Sequence, residues 1–266
     1  MNRCYQHNRL RVVRAILPAA VTALTVLLSC QASGADGGLQ LSQTRVIFDA
    51  RAKNAKATIS NQSDRVYLVK TGVLATPDPD AAKKDATVPA APFMVTPPLF
   101  RLEPDSQHSV LVVRNGTTEL PTDRESVFYL SMLAIPATAK QAEEYNTGVS
   151  ARVSVGIQTV IKLFYRPAGL SMPAGAAAES LTFRQTGHSL QVGNPSPYFV
   201  TLARLSLNGS MLNVRDTEAG AMISPFSVQN YPVTGLAQKV SWTTVNDYGG
   251  ESAEYHAGVT QDDNVR

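Results

Sequence analysis

The sequence predicts an all-β protein built as two antiparallel sandwiches, and three observations predict it. From Leu39 onward the chain reads as many short β-type runs divided by turn residues, no window sustains a 3.6-residue apolar period, and the composition shifts abruptly after Pro167. The chain has 266 residues, enough to bury a substantial core.

The first 35 residues stand apart from this pattern. Arg3, Arg9, Arg11 and Arg14 precede an apolar stretch from Ala15 to Ser29, and small residues follow at Ala32 and Ala35. This is the layout of a secretory signal peptide over residues 1–35. The stretch is shorter than the roughly 20 residues a spanning helix needs, and Pro18 interrupts it. Two processing routes fit: cleavage after Ala32 or Ala35, giving a soluble exported protein, or cleavage before Cys30 with lipid attached there. The leucine before Ser29 suits the second route poorly. Removing the four arginines from the 24 basic residues leaves 20 against 21 acidic ones, a net of −1, so the formal charge of +3 carries no message about nucleic acid. Both cysteines, Cys4 and Cys30, lie in or at the edge of the signal, so the soluble mature form holds no disulfide.

The elements follow in order. "LQLSQTRVIFDA" alternates, "NAKATISNQS" ends in a turn cluster, and "RVYLVKTGVLA" is a further strand. Thr76 to Pro92 is rich in Pro, Ala and charge and predicts a solvated loop, with Lys83 and Lys84 at its tip. "HSVLVVRN" and "SVFYLSMLAI" are strands, joined by the polar connector "PATAKQAEEYNTG" to "VSVGIQTVIKLFYRP", Val153 to Pro167. That last stretch changes character halfway: it alternates up to Thr159, then becomes apolar on both faces around Lys162. After Pro167 comes the small-residue segment "AGLSMPAGAAAES", then shorter runs at "SLQVGN", "PYFVTLARLSLNG", "AMISPFSVQNY" and "KVSWTTVNDYGG". The expected domains are therefore 36–167 and 168–266.

Catalytic and metal motifs do not emerge. There is no GxSxG, HExxH, GxGxxG or GxxxxGK[ST], and His108, His188 and His256 are far apart in sequence. Asp123 and Glu125 are a carboxylate pair that could share a proton, but pairing with arginines in a loop is the better expectation. Asn-x-Ser/Thr sequons start at Asn61, Asn115 and Asn208 and occur readily by chance.

Six blocks appear in order: "QTRVIFDA", "TPPLFRLEP", "LPTDRESVFYLSMLAIP", "IQTVIKLFYRP", "NPSPYFVTL" and "NDYGG". Together they resemble the periplasmic pilus-assembly chaperones of the chaperone/usher pathway. The resemblance implies two immunoglobulin-like β-sandwich domains in an L shape with an interdomain cleft. It implies a non-enzymatic periplasmic chaperone that uses no nucleotide, metal or other cofactor. Such a protein folds pilus subunits by donor-strand complementation, caps their groove and delivers them to an outer-membrane usher.

The resemblance also gives residues their roles. Val153, Val155 and Ile157 match the donor strand. Arg45 and Lys162 match the pair that binds the subunit's C-terminal carboxylate. Glu125, Arg166 and Asp247 match an ion network between the domains. The implied partners are pilus subunits and the usher, with no nucleic acid, and a self-capping homodimer when subunits are absent. The connector after Pro136 is longer than in short-loop relatives yet lacks the cysteine pair of long-loop ones, and the short-loop class is the closer match. The alternative reading is an immunoglobulin-like surface protein, adhesive or structural, lipid-anchored through Cys30; it needs neither Arg45 nor Lys162.

Overall fold

A computed structural model of the chain describes residues 38–78, 80, 90–116, 118–137, 155–217 and 220–261. Val153, Cys30, Lys83, Lys84 and the connector 138–154 lie outside the described residues.

The first sandwich contains strands β1 (Leu39–Leu41), β2 (Arg45–Asp49), β3 (Asn54–Asn61), β4 (Tyr67–Leu74), β5 (Phe93–Thr96), β6 (Leu99–Leu102), β7 (Ser106–Arg114), β8 (Ser126–Pro136) and β9 (Ile157–Arg166). One sheet has the order β1-β3-β7-β5 and the other β2-β9-β8-β4-β6. Alternation in β3 and β7 sends Ala57, Ile59, Val110 and Val112 inward, where they meet Val69, Leu130, Met132 and Leu163 of the opposite sheet. The single alternating run read from Leu39 to Ala50 is divided here. It pairs with β3 as β1, breaks at Ser42 to Thr44, and then joins the other sheet as β2. The block "TPPLFRLEP", read only as a motif, supplies the end of β5 and all of β6.

The second sandwich contains β10 (Thr182–Thr186), β11 (Ser189–Asn194), β12 (Val200–Leu207), β13 (Ser210–Met211), β14 (Met222–Ile223), β15 (Ser227–Pro232), β16 (Lys239–Thr244), β17 (Tyr255–Gly258) and β18 (Thr260–Gln261). Its sheets run β15-β11-β10-β18 and β13-β12-β16-β17, with β14 also on β12. Leu190, Val192, Leu205, Tyr231 and Trp242 fill its separate core. The small-residue segment after Pro167 makes only a short 3-10 turn, Ala174–Ala176. "AMISPFSVQNY", read as one run, is broken between β14 and β15, where Phe226 takes a φ of 54°.

Two asparagines end strands in the same way. The Asn61 Oδ1 accepts from the backbone N–H and the hydroxyl of Ser63, while its Nδ2 donates to the carbonyls of Arg65 and Glu103. Asn194 repeats this in the second sandwich: its Oδ1 accepts from the Ser196 N–H and hydroxyl, and its Nδ2 donates to the Tyr198 and Ser224 carbonyls. Both are 1 % exposed, so each satisfies turn groups that water cannot reach. The sequon at Asn61 is therefore a turn device whose amide is already engaged. Asn208 is engaged too, donating to Leu236 and accepting from the Gln238 and Lys239 N–H groups.

Candidate functional site

Strand β9 is built in two halves, and the sheet order explains its change of pattern. It pairs antiparallel with β8 from Ala134 opposite Ile157 to Ser126 opposite Tyr165. On its other side β2 covers only Lys162 to Arg166, in parallel register with Arg45 to Asp49. Among the described residues nothing pairs with the outer edge from Ile157 to Ile161. Exposure falls accordingly, from an exposed Ile157 to a buried Leu163 and Phe164. Val155 is 70 % exposed and precedes the strand with Gly156, so the described strand begins at Ile157 rather than at Val155.

The inner half presents two faces. Ile161, Leu163 and Tyr165 pack into the first core, so Lys162, Phe164 and Arg166 turn the other way, toward the second sandwich. Arg45 and Ile47 of β2 stand opposite Lys162 and Phe164. The structure thus brings Arg45 and Lys162 side by side on neighbouring strands.

Among the described residues neither cation has a carboxylate in ion-pair contact. Arg45 is 9 % exposed; its Nη1 donates to the Val245 carbonyl at 3.1 Å, its guanidinium lies 5.7 Å from the centre of the Phe164 ring, and its Nε is buried without a partner. Burial pushes its pKa down, against the more distant pull of Asp247 and Glu125. Lys162 makes no hydrogen bond or ion pair among the described residues, and burial, then the positive charge of Arg45, lowers its pKa from 10.5. A buried arginine and a half-buried lysine with unpaired donors are a combination that can hold an anion, and a carboxylate matches the fork of an arginine.

Also between the sandwiches, Glu125, Arg166 and Asp247 meet. Arg166 donates from Nε to Glu125 at 2.7 Å and from both Nη atoms to Asp247 at 2.7 and 2.9 Å. The other oxygen of Glu125 accepts from the Phe199 N–H at 3.0 Å, and the Glu125 N–H donates to the Pro197 carbonyl. Burial raises the Glu125 pKa although Arg166 and Phe199 pull it back. Burial also works against the Arg166 charge, but the hydrogen bonds it donates to Asp247 and the charge of Glu125 outweigh it, and its pKa is raised. Gly249, at a φ of 84°, seats the loop after Asp247 against Thr44, where any side chain would strike the threonine hydroxyl.

A cleft of about 350 Å³ opens between these groups. Arg45, Ile47, Phe164 and Arg166 line it from the first sandwich; Ala174, Gly175, Ala177, Ala178, Tyr198, Phe199 and Tyr255 line it from the second. Sequence reasoning missed the aromatic and small-residue walls, although "NPSPYFVTL" and "PAGAAA" carry them. The Asp123–Glu125 pair is divided by the fold: Asp123 is bound by exposed Arg124 at 2.8 Å, whereas Glu125 is buried against Arg166. His108 stacks on Phe100 at 4.1 Å, while His256 lies on β17 of the second sandwich. Among the described residues no group of three metal-binding side chains occurs.

Comparison with known proteins agrees with this architecture. The family model for "Pili and flagellar-assembly chaperone, PapD N-terminal domain" matches residues 38–171, and that for "Pili assembly chaperone PapD, C-terminal domain" matches 176–256. The chain is 34 % identical over 248 residues to the probable fimbrial chaperone protein ElfD of Escherichia coli O157:H7, covering 91 % of this chain and 96 % of that one. It is 35 % identical to the chaperone protein LpfB of Salmonella typhimurium, covering 91 % and 95 %. Among solved structures, the E. coli chaperone DraB and the Salmonella enterica SafB chaperone in complex with the SafA pilin each give a TM-score of 0.68 at 30 % identity, over 85 % of this chain and 98 % of theirs.

Proposed function

The chain belongs to the family of pili assembly chaperones, and from that premise we propose that it is a periplasmic chaperone that lends pilus subunits the edge of β9. The observation that carries this reading is a strand whose outer half has an edge that no described residue pairs with, and whose inner half begins at Lys162 beside Arg45, two cations with no carboxylate partner among the described residues. A free edge is ordinarily a hazard, because unpaired N–H and C=O groups template pairing with other chains. Here it is the working surface. Main-chain hydrogen bonds add the subunit's strand to β9, and Val153, Val155 and Ile157 fill its open groove.

Arg45 and Lys162 then hold the subunit's C-terminal carboxylate, which sets the register along the edge. Glu125, Arg166 and Asp247 keep the two sandwiches at the angle the cleft requires. Export by the signal peptide brings the chain to the periplasm, and the loaded complex delivers its subunit to an outer-membrane usher. Free protein caps the same edge with a second copy of itself. The relationship to SafB, solved with a pilin, supports a pilus subunit as the partner.

The test is a periplasmic pull-down with tagged wild type, Lys162→Ala and Arg45→Ala, the bound proteins identified by mass spectrometry. Wild type is expected to recover small exported β-rich subunits and both variants to lose them. Equal recovery by all three sinks the carboxylate anchor, and no recovered subunit sinks the chaperone reading.

A further inference from the structure

We infer that the cleft beside Arg45 receives the side chain of the bound subunit's last residue and selects an aromatic one; this rests on reading Arg45 and Lys162 as the carboxylate anchor. The α-carboxylate and the side chain of a terminal residue leave the same carbon. Holding the carboxylate at Arg45 therefore keeps the side chain within one side-chain length of the guanidinium. The cleft of about 350 Å³ that Arg45 lines begins there, and the Arg45 Nε, buried without a partner, marks its polar end.

Away from that end the walls suit a ring. Ile47 and Phe164 face it from one side, and Phe199, whose ring centre lies 5.6 Å from that of Phe164, continues the apolar surface. The opposite wall is the 3-10 turn, where Ala174 and Gly175 bring almost no side chain and so leave the space open. That wall is held in place: the Tyr198 hydroxyl donates to the Met172 carbonyl and the Trp242 indole N–H to the Ala178 carbonyl, each within 2.8 Å. A preformed, part-apolar concavity with Arg45 at one end, and with the charges of Arg166, Glu125 and Asp247 on its wall paired among themselves, fits a terminal residue carrying a large flat side chain.

The experiment uses the purified mature chain and short synthetic peptides that alternate valine with serine and differ only in their last residue, Phe, Leu or Gly, each as free acid and as amide. Calorimetric titration is expected to rank the acids Phe, Leu, Gly, with about tenfold between the ends, and to find the amides weak. Gly175 lines the cleft and, its chain neighbours aside, no atom lies within 4 Å of where a Cβ on it would stand, so Gly175→Leu is chosen to narrow the cleft. It is expected to abolish the Phe advantage while the Gly peptide binds as before; Gly175→Val gives the same comparison should the larger side chain impair folding. Free acids of equal affinity with weak amides overturn the side-chain subsite and leave the anchor standing. A Phe advantage that survives in both Gly175 variants also overturns the subsite. Amides as tight as acids overturn the anchor itself, and the subsite with it.

Discussion

Lys162 is a residue whose cost and use have opposite signs. With no anion bound, its charge is half desolvated beside Arg45, so the folded state holds its pKa below 10.5 while the unfolded chain does not. Between those two values the unfolded state binds more protons, and stability of the free protein rises with pH. On the proposed anchor role, a bound carboxylate would restore the lysine's charge, so the complex would bind more protons than the free protein and affinity would fall over the same window. Melting and peptide titrations across the alkaline range are expected to move in opposite directions; parallel movement would refute the assignment. For the same reason Lys162→Met is expected to stabilise the free protein by about 1 kcal/mol in urea unfolding while abolishing binding. Asn194 lies at the other extreme, since every polar atom of its amide is engaged inside the fold. Asn194→Ala leaves buried partners unpaired and is expected to cost about 3 kcal/mol, read from the same unfolding curves.

At the scale of the element, β9 shows why one strand carries two patterns. Its inner half is paired on both edges, by β2 and β8, so Leu163 and Phe164 are buried while Lys162 and Arg166 share the face with Phe164 that is turned from the first core. Its outer half has one neighbour and an exposed Ile157, 49 % accessible, that contributes little to the sandwich's own core. Ile157→Lys is therefore expected to change stability by no more than about 0.5 kcal/mol and to weaken subunit capture at least tenfold, as read by thermal melting and pull-down. A variant that binds normally would show that the groove is filled elsewhere.

At the scale of the molecule, the two sandwiches have separate cores and meet through the Arg166–Asp247 pair, the Glu125 carboxylate on the Phe199 N–H, Arg45 on the Val245 carbonyl and the Phe164–Phe199 ring contact. Arg166→Ala leaves Glu125, with a side chain only 2 % exposed, as a buried carboxylate without its cation. The expected cost is about 3–5 kcal/mol at neutral pH. It should shrink toward acid, because protonation relieves an unpaired buried carboxylate whose pKa is already raised. A loss that does not depend on pH would mean that Glu125 finds another partner. Much of this protein was determined by sequence alone: period-two runs mark the strands, the shift after Pro167 marks a change of segment, and six ordered blocks mark the family. Those signals are local, carried by side-chain alternation and turn chemistry within a few residues. What only the tertiary structure decided is non-local. The split of Leu39 to Ala50 between two sheets, the free edge of half of β9 and the small-residue wall opposite Phe164 each depend on which strand lies beside which. No periodicity within one run encodes its neighbour across the sheet.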